Sequence, residues 1–115
     1  MRKNFIMRIW DIEPDKLCRN HLLGEHRELH AIWSVLTKNK KGYSRHPETL
    51  RWKNKLAALY LRHEQLIDEM KKREYRHHSV LDYKFATGAR KQSILIDSRS
   101  KQAQILRNKK CSCKV

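Results

Sequence analysis

Cysteines, glycines and long apolar runs are all scarce in this chain of 115 residues, and each shortage excludes a class of protein. Three cysteines, an odd number, do not make a disulfide framework, so a reducing intracellular setting is expected. No apolar run approaches the roughly 18 residues that are needed to span a bilayer. The first six residues lack the apolar centre of a signal peptide. No glycine-rich phosphate loop or catalytic triad is recognisable, so nucleotide-driven and triad chemistry are not expected.

Acidic residues are outnumbered, because 12 Asp and Glu stand against 27 Lys and Arg, which gives a formal net charge of +15 at pH 7. Such an excess in a short chain produces a positive field that favours a polyanion through phosphate contacts and counterion release. Nucleic acid is therefore the expected partner. An anionic membrane surface is the competing partner, but the sequence contains no amphipathic helix with one apolar face and one purely basic face. We expect no membrane association.

The spacing of apolar residues predicts an all-α fold, a single compact domain of about three helices joined by long loops. Proline followed by an acidic residue marks the start of the first two helices. A serine, Ser98 or Ser100, is the expected N-cap of the last one. In chain order we predict an extended lead-in at 7–12, a helix at 14–37, a loop at 38–47, a helix at 47–73, an irregular connection at 75–95 and a short helix that ends near 107.

Periodicity also predicts which side chains face the core. In the first helix, His26 and His30 fall on the solvent-facing side. In the second, Leu50 lies on an apolar face that continues to Met70. Trp52 on the same helix is expected to fill the core rather than to stack on a nucleic-acid base.

Two acids lie on the inward side of the first helix. His21, Glu25 and Glu28 follow at i, i+4 and i+7, so they share one stripe of the helix, and leucine and isoleucine flank that stripe. A carboxylate among apolar side chains is neutralised, paired with a cation or used for chemistry. The pattern alone leaves both interpretations open, a structural ion pair with Arg or Lys and a catalytic acid.

Basic residues gather in the loop between the first two helices, where Lys40, Lys41 and Arg45 accompany Tyr43. They are candidates for a phosphate clamp, and a plain solvated loop is the alternative. Cys111 and Cys113 with His77 and His78 could supply the four ligands of a zinc site, but one residue between the cysteines is fewer than zinc knuckles use. We therefore expect no metal site and a reduced, basic C-terminal tail.

The segment His21-Leu-Leu-Gly-Glu-His-Arg-Glu-Leu29 resembles a family signature. It is similar to His-Leu-x-x-Glu-Tyr-Arg-Glu-Leu of the pyrimidine-dimer DNA glycosylases, the phage endonuclease V family. Met7-Arg-Ile resembles the N-terminal x-Arg-Ile of that family, and Lys55-Leu-x-x-Leu-x-x-Arg62 resembles its second helix. The likeness covers roughly residues 7 to 80.

The resemblance implies an all-α DNA repair enzyme with two linked activities. The α-amine of the first residue attacks the sugar of the damaged nucleotide, a Schiff base forms, the glycosidic bond breaks, and β-elimination nicks the strand. By this resemblance Met7 carries the amine, Glu28 is the essential acid, and Arg8 and Arg27 contact DNA. The full set of expected DNA-binding residues is Arg8, His21, Glu25, Arg27, Lys40, Lys41 and Arg45.

The same resemblance implies a substrate and a mode of binding. The partner is damaged double-stranded DNA, which the enzyme kinks so that a base can flip out. No metal or organic cofactor is expected. We expect a monomer that works inside the cell, in the cytoplasm or with the DNA of a nucleoid or nucleus.

Residues 1–6 precede the position that carries the amine. With them in place the nitrogen of Met7 is an amide, so we expect translation to start at Met7 and 1–6 to be a start-site artefact, with 7–115 forming one endonuclease V-like domain. Removal of 1–6 by processing is the alternative route to the same amine. If the amine is never exposed, a non-enzymatic, basic helical DNA-binding module of the same fold remains, and a domain whose charge serves only solubility is the third possibility.

Overall fold

A computed structural model of the protein describes residues 8–39, 41, 44–76 and 80–115. Within them lie four α-helices, α1 (Arg19–Thr37), α2 (Pro47–Trp52), α3 (Leu56–Lys72) and α4 (Arg99–Arg107). Single 3-10 turns occur at Pro14–Lys16 and Tyr83–Phe85, and no β-strand is present in this part of the chain. The prediction of an all-α single domain is confirmed, as is the N-cap of the last helix, because the Ser98 hydroxyl accepts a hydrogen bond from the backbone N–H of Lys101.

The core forms where α1 packs against α3. Leu22 and Leu29 of α1 and Leu59 and Leu66 of α3 are inaccessible to solvent. The extended segment before α1 closes one side of this core, and Leu106 of α4 is buried in the same cluster. No helix in the described ranges is both long enough and apolar enough to cross a bilayer.

The first long helix begins at Arg19 rather than at Pro14, so its predicted start was wrong. The chain makes one 3-10 turn at Pro14–Lys16 and is then extended through Leu17 and Cys18. Arg73, which caps the C-terminal end of α3, donates hydrogen bonds to the carbonyls of Pro14 and Leu17. Because these carbonyls accept hydrogen bonds from Arg73, they do not take part in the backbone hydrogen bonds of a continuous α-helix that begins at Pro14.

The predicted helix at 47–73 is two helices, and that prediction was also wrong. Asn54 adopts a φ of 64°, which an asparagine tolerates better than most residues and which ends the helical path. Its carbonyl accepts a hydrogen bond from the backbone N–H of Ala89. As a result α2 does not continue the face of α3, and Leu50 is 50% exposed instead of lying in the core. Trp52 is buried as predicted.

His26 and His30 do not form a solvent-facing side of α1. His26 is buried, and Nε2 of His30 lies 3.1 Å from Nε2 of both His26 and His63. The prediction failed because the packing of α3 brings a third imidazole to these two, and polar rings that contact one another can be withdrawn from water.

Candidate active site

A pocket of about 200 Å³ opens beside the middle of α1. Three parts of the chain build it, the extended segment before α1, the inward stripe of α1 and the end of α4. Its lining comprises Arg8, Trp10, Asn20, His21, Gly24, Glu25, Glu28, Ile105 and Lys109. The structure thus brings together four of the predicted site residues, Arg8, His21, Glu25 and Glu28.

Glu28 has the least satisfied carboxylate in this pocket. Its Oε2 is buried and has no hydrogen-bond partner among the residues that the structure describes. Burial raises the pKa of Glu28, and the neighbouring Arg27 partly opposes the rise. A buried carboxylate oxygen without a protein partner calls for an explanation, and a reacting group that arrives with the substrate is one.

Glu25, three residues earlier, is in the opposite situation. Its carboxylate accepts two hydrogen bonds from the Arg62 guanidinium, at 2.7 Å from Nε and 3.0 Å from a terminal nitrogen. Burial raises the pKa of Glu25, and the bidentate contact with Arg62 opposes that rise. The structural ion pair therefore describes Glu25, whereas Glu28 has no such partner among the described residues and its catalytic role stays a prediction. Direct contact of Glu25 with DNA stays a prediction.

Buried polar side chains hold the segment that precedes α1. Arg51 lies between Asp11, at 2.9 Å, and Glu48, at 2.7 Å, and it also donates to the carbonyl of Ile9. The Gln102 amide donates to the Asp11 carboxylate and accepts from the Asp11 backbone N–H. Side chains of α2 and α4 therefore both hydrogen-bond to this segment and fix its position beside the pocket.

Arg8 is the first described residue of that segment. Its guanidinium lies 3.0 Å from a carboxylate oxygen of Asp97 and 4.9 Å from the ring centre of Trp10. These contacts place the cation in the pocket wall that also contains Glu28. A phosphate group would have to compete with Asp97 for it.

The remaining predicted residues lie elsewhere. Arg27 is exposed on α1 and does not line the pocket. Lys41 and Arg45 are exposed in the loop after α1, where they border a separate surface depression with Ser44 and His46. Met7, Lys40, His77 and His78 fall outside the described residues.

With this geometry in view, comparison with known proteins identifies the lineage of the chain. The family model described as pyrimidine dimer DNA glycosylase matches residues 7–83, more than half of the sequence. The chain belongs to the pyrimidine dimer DNA glycosylase family. No curated protein and no solved structure shows a significant match to it.

This member of the pyrimidine dimer DNA glycosylase family has pocket residues that sequence reasoning did not find. Trp10 and Asn20 lie within the matched range, and Lys109 lies beyond it, two residues after the end of α4. No local sequence pattern predicts that Lys109 lies near the inward stripe of α1, because the two are distant in the sequence and come together only in the folded protein. For Trp10 a signal was present, since the residue is two positions after Arg8 in an extended segment and so lies on the same side.

The cysteines of the zinc alternative, Cys111 and Cys113, lie beside the pocket in this glycosylase-family chain, whereas its two histidines fall outside the described residues. Cys111 and Cys113 lie next to Cys18 and His21, all four ligand atoms being within 4.8 Å of one another. His21 belongs to both places, because it lines the pocket and its Nδ1 faces the sulfur atoms. Burial, and after it the charge of Lys109, lowers the pKa of His21.

Proposed function

We propose that the protein is a DNA repair glycosylase with AP-lyase activity that excises UV-induced pyrimidine dimers. The observation that carries the proposal is the buried Oε2 of Glu28, which has no hydrogen-bond partner in the described part of the chain and lies in a pocket whose wall includes Arg8. Membership of the pyrimidine dimer DNA glycosylase family supports the class of lesion. The net charge of +15 suits a duplex substrate.

The proposed nucleophile is the α-amine of residue 7 in a chain that starts there. An α-amine has a reference pKa of about 7.7 to 8.0, against about 10.4 for lysine, so a useful fraction is uncharged near neutral pH. The family match begins at this residue. In such a chain one peptide bond would separate the amine-bearing residue from Arg8, which lines the same pocket as Glu28.

The proposed reaction has two stages. The amine nitrogen attacks C1′ of the damaged nucleotide, the glycosidic bond breaks, and its electron pair leaves with the pyrimidine. The nitrogen then loses a proton and the C1′–O4′ bond of the sugar ring breaks, with O4′ taking up a proton, so that an iminium ion, the protonated Schiff base, forms at C1′. Loss of a proton from C2′ and departure of the 3′ phosphate complete the β-elimination that nicks the strand.

Glu28 has two tasks in this scheme. As a carboxylate in a pocket partly shielded from water, it stabilises the positive charge that develops on the sugar and then on the iminium ion. It also accepts and returns protons during elimination, which its raised pKa favours because the acid and base forms become closer in free energy near neutral pH.

The surrounding cations are proposed to hold the duplex. Arg8 and Lys109 border the pocket, and Arg27 extends from α1 into solvent. Lys41 and Arg45 would contact phosphates farther along the backbone. A pyrimidine dimer stacks and pairs poorly, so the free-energy cost of kinking the helix and flipping a base is lowest at the lesion.

Strand nicking by a Glu28→Gln variant tests the proposal. We expect the rate on dimer-containing duplex to fall by at least about 10²-fold, because both charge stabilisation and proton transfer are removed, while duplex binding is kept. Asp68→Asn is the matched control, since Asp68 is an exposed acid on α3 outside the pocket. Parent-like nicking by Glu28→Gln would contradict the proposed role.

The second candidate function is non-enzymatic DNA binding. The observation in its favour is the sequence itself, because Met1 to Ile6 precede Met7 and convert the required amine into an amide. This alternative predicts duplex binding with no nicking by any form of the protein. Equal loss of binding and nicking in Glu28→Gln would instead make Glu28 a structural residue.

A further inference from the structure

We propose that the protein holds a structural zinc ion between Cys18, His21, Cys111 and Cys113. The ligand atoms of these four side chains lie within 4.8 Å of one another. Nδ1 of His21 is 3.1 Å from the sulfur of Cys18 and 3.3 Å from that of Cys113. Ligands in a tetrahedral zinc site, with metal bonds of about 2.0 to 2.3 Å, are about 3.3 to 3.8 Å apart, so only small shifts are required.

The local structure explains how distant residues meet. Cys18 is the N-cap of α1 and His21 its third residue, a spacing that places both on one side of the helix start. Cys111, in a bend after α4, and Cys113 are separated by one residue, and the sulfur atoms of both lie within 4.8 Å of the other two ligand atoms. A single intervening residue is therefore compatible with two ligands to one ion.

The tail is also attached to the start of α1 by hydrogen bonds. The backbone N–H of Cys18 donates to the sulfur of Cys113 at 3.1 Å, and the N–H of Lys114 donates to the carbonyl of Lys16 at 2.7 Å. These contacts hold the sulfur of Cys113 close to His21, while the thiol of Cys111 donates to the carbonyl of Leu106 at 3.4 Å. The three cysteines are free thiols, so no disulfide competes for the sulfur atoms.

The donor set identifies the metal. Soft thiolate ligands combined with imidazole select zinc among the common divalent ions, and four protein ligands make a closed, structural site. The cysteines bind as thiolates and release their protons to solvent when the ion enters. The site does not depend on the proposed enzymatic function, and its ligands Cys111 and Cys113 lie beyond the family match that ends at residue 83.

The ion would connect the tail to the pocket. His21 lines the pocket, and Lys109, two residues before Cys111, lines it as well. With Nδ1 bound to zinc, the ring of His21 carries its proton on Nε2, which fixes the tautomer. We therefore assign the Nδ1 atom of His21 to the metal, and any contact with DNA is left to the opposite nitrogen.

A second group of imidazoles requires a test that is specific for sulfur. His26, His30 and His63 also place their ring nitrogens close together, so total zinc content alone does not identify the cysteine site. Cobalt(II) solves this problem, because only thiolate ligands give an intense near-ultraviolet charge-transfer band when cobalt replaces zinc.

The experiment compares the full-length protein, purified under reducing conditions, with two cysteine variants. Cys111→Ser changes an exposed residue, and Cys113→Ser changes a half-buried one. Ser112→Ala is the matched control, because it changes the exposed residue between them and leaves every sulfur in place. Zinc is measured by elemental analysis, cobalt binding by absorption, and helix content by circular dichroism.

We expect the parent and Ser112→Ala to bind equal zinc and to show the cobalt–thiolate band. Each cysteine variant should lose one equivalent of zinc per chain relative to the parent, together with most of the band. Chelation should lower the unfolding temperature of the parent but not that of Cys111→Ser. If Cys113→Ser does not fold, Cys111→Ser and the cobalt spectrum of the parent decide the question. A parent without the band, or cysteine variants with the zinc content of the parent, would overturn the proposal.

Discussion

Glu25 and Glu28 are three residues apart on one helix, yet their carboxylates have opposite surroundings. Arg62 neutralises Glu25, whereas Oε2 of Glu28 is buried without a partner in the described part of the chain. The sequence could place both acids on the inward stripe, because helical periodicity alone determines that. It could not assign the ion pair to one of them, because Arg62 reaches Glu25 from another helix.

We predict that substitutions at these two acids change stability in opposite directions. Burial raises the pKa of Glu28, so its ionised form is less favourable in the folded than in the unfolded protein. Glu28→Gln should therefore raise the free energy of unfolding at neutral pH. That gain should shrink as the pH falls through the raised pKa, and it should vanish below the ordinary range of a glutamate, where both states are protonated.

Glu25→Gln is the paired change in this prediction. It leaves the Arg62 guanidinium buried without a counter-charge and should lower the free energy of unfolding by about 3 kcal/mol. Urea denaturation of both variants across the acid and neutral range measures the two effects. A Glu28→Gln variant that is as destabilised as Glu25→Gln would show that Glu28 is also a structural acid.

Gly24 gives direct control over the space in front of Glu28. A Cβ atom built on this residue meets no atom within 4 Å, and the residue lines the pocket. Gly24→Ala should stabilise the protein by up to about 1 kcal/mol, because glycine is unfavourable inside a helix. Gly24→Phe should fold as well but fill the pocket and strongly reduce nicking. Thermal unfolding and a nicking assay separate the two, and full activity of Gly24→Phe would place the reaction elsewhere.

The helical elements were largely predictable, but their ends were not. Apolar spacing located α1, α3 and α4, since a buried helical face requires that pattern. The interruption between α2 and α3 depends on backbone contacts with a distant segment, where the N–H of Ala57 donates to the carbonyl of Thr87 and that of Ala58 to the carbonyl of Ala89. The sequence of 47–73 contains no pattern that predicts these contacts with the distant segment.

Gly88 is the residue on which this junction depends most. Its φ is 82°, and an added Cβ would come within 2.1 Å of the carbonyl oxygen of Asn54. Gly88→Ala should therefore lower the free energy of unfolding by more than about 2 kcal/mol, through both the unfavourable φ and the clash with backbone atoms. The measurement is urea denaturation, with Gly24→Ala as the control that adds the same methyl group where there is space. A neutral Gly88→Ala would mean that the 87–89 segment does not pack against the start of α3.

The charge of the whole molecule is the feature that composition predicted most simply. A net charge of +15 indicates a polyanionic partner but not the surface that contacts it. The structure separates these cations into two places. Arg8 lies at the pocket, whereas Lys41 and Arg45 lie in the loop after α1. Folding brings Arg8 close to the end of α4, and sequence periodicity could not reveal this proximity.

We predict that the loop cations contact phosphates and not the lesion. Lys41→Ala combined with Arg45→Ala should weaken binding to damaged and undamaged duplex alike, and should reduce the slope of log affinity against log salt by up to about 2. The double variant should nick at a parent-like rate once it is saturated with DNA. Affinity titrations over a range of salt concentrations measure the slope. An unchanged slope would assign these residues to a solvated loop.

The proposed mechanism requires an α-amine at residue 7 and the acid Glu28 to act together on the damaged sugar. Borohydride trapping on a duplex that carries one cyclobutane pyrimidine dimer tests this requirement, with the protein started at Met7, the protein started at Met1 and Glu28→Gln in the Met7 form. We predict a covalent protein–DNA adduct with the Met7 form, none with the Met1 form and a strongly reduced yield with Glu28→Gln. Binding of the duplex without an adduct from either form would contradict the claim and favour a non-catalytic DNA-binding protein.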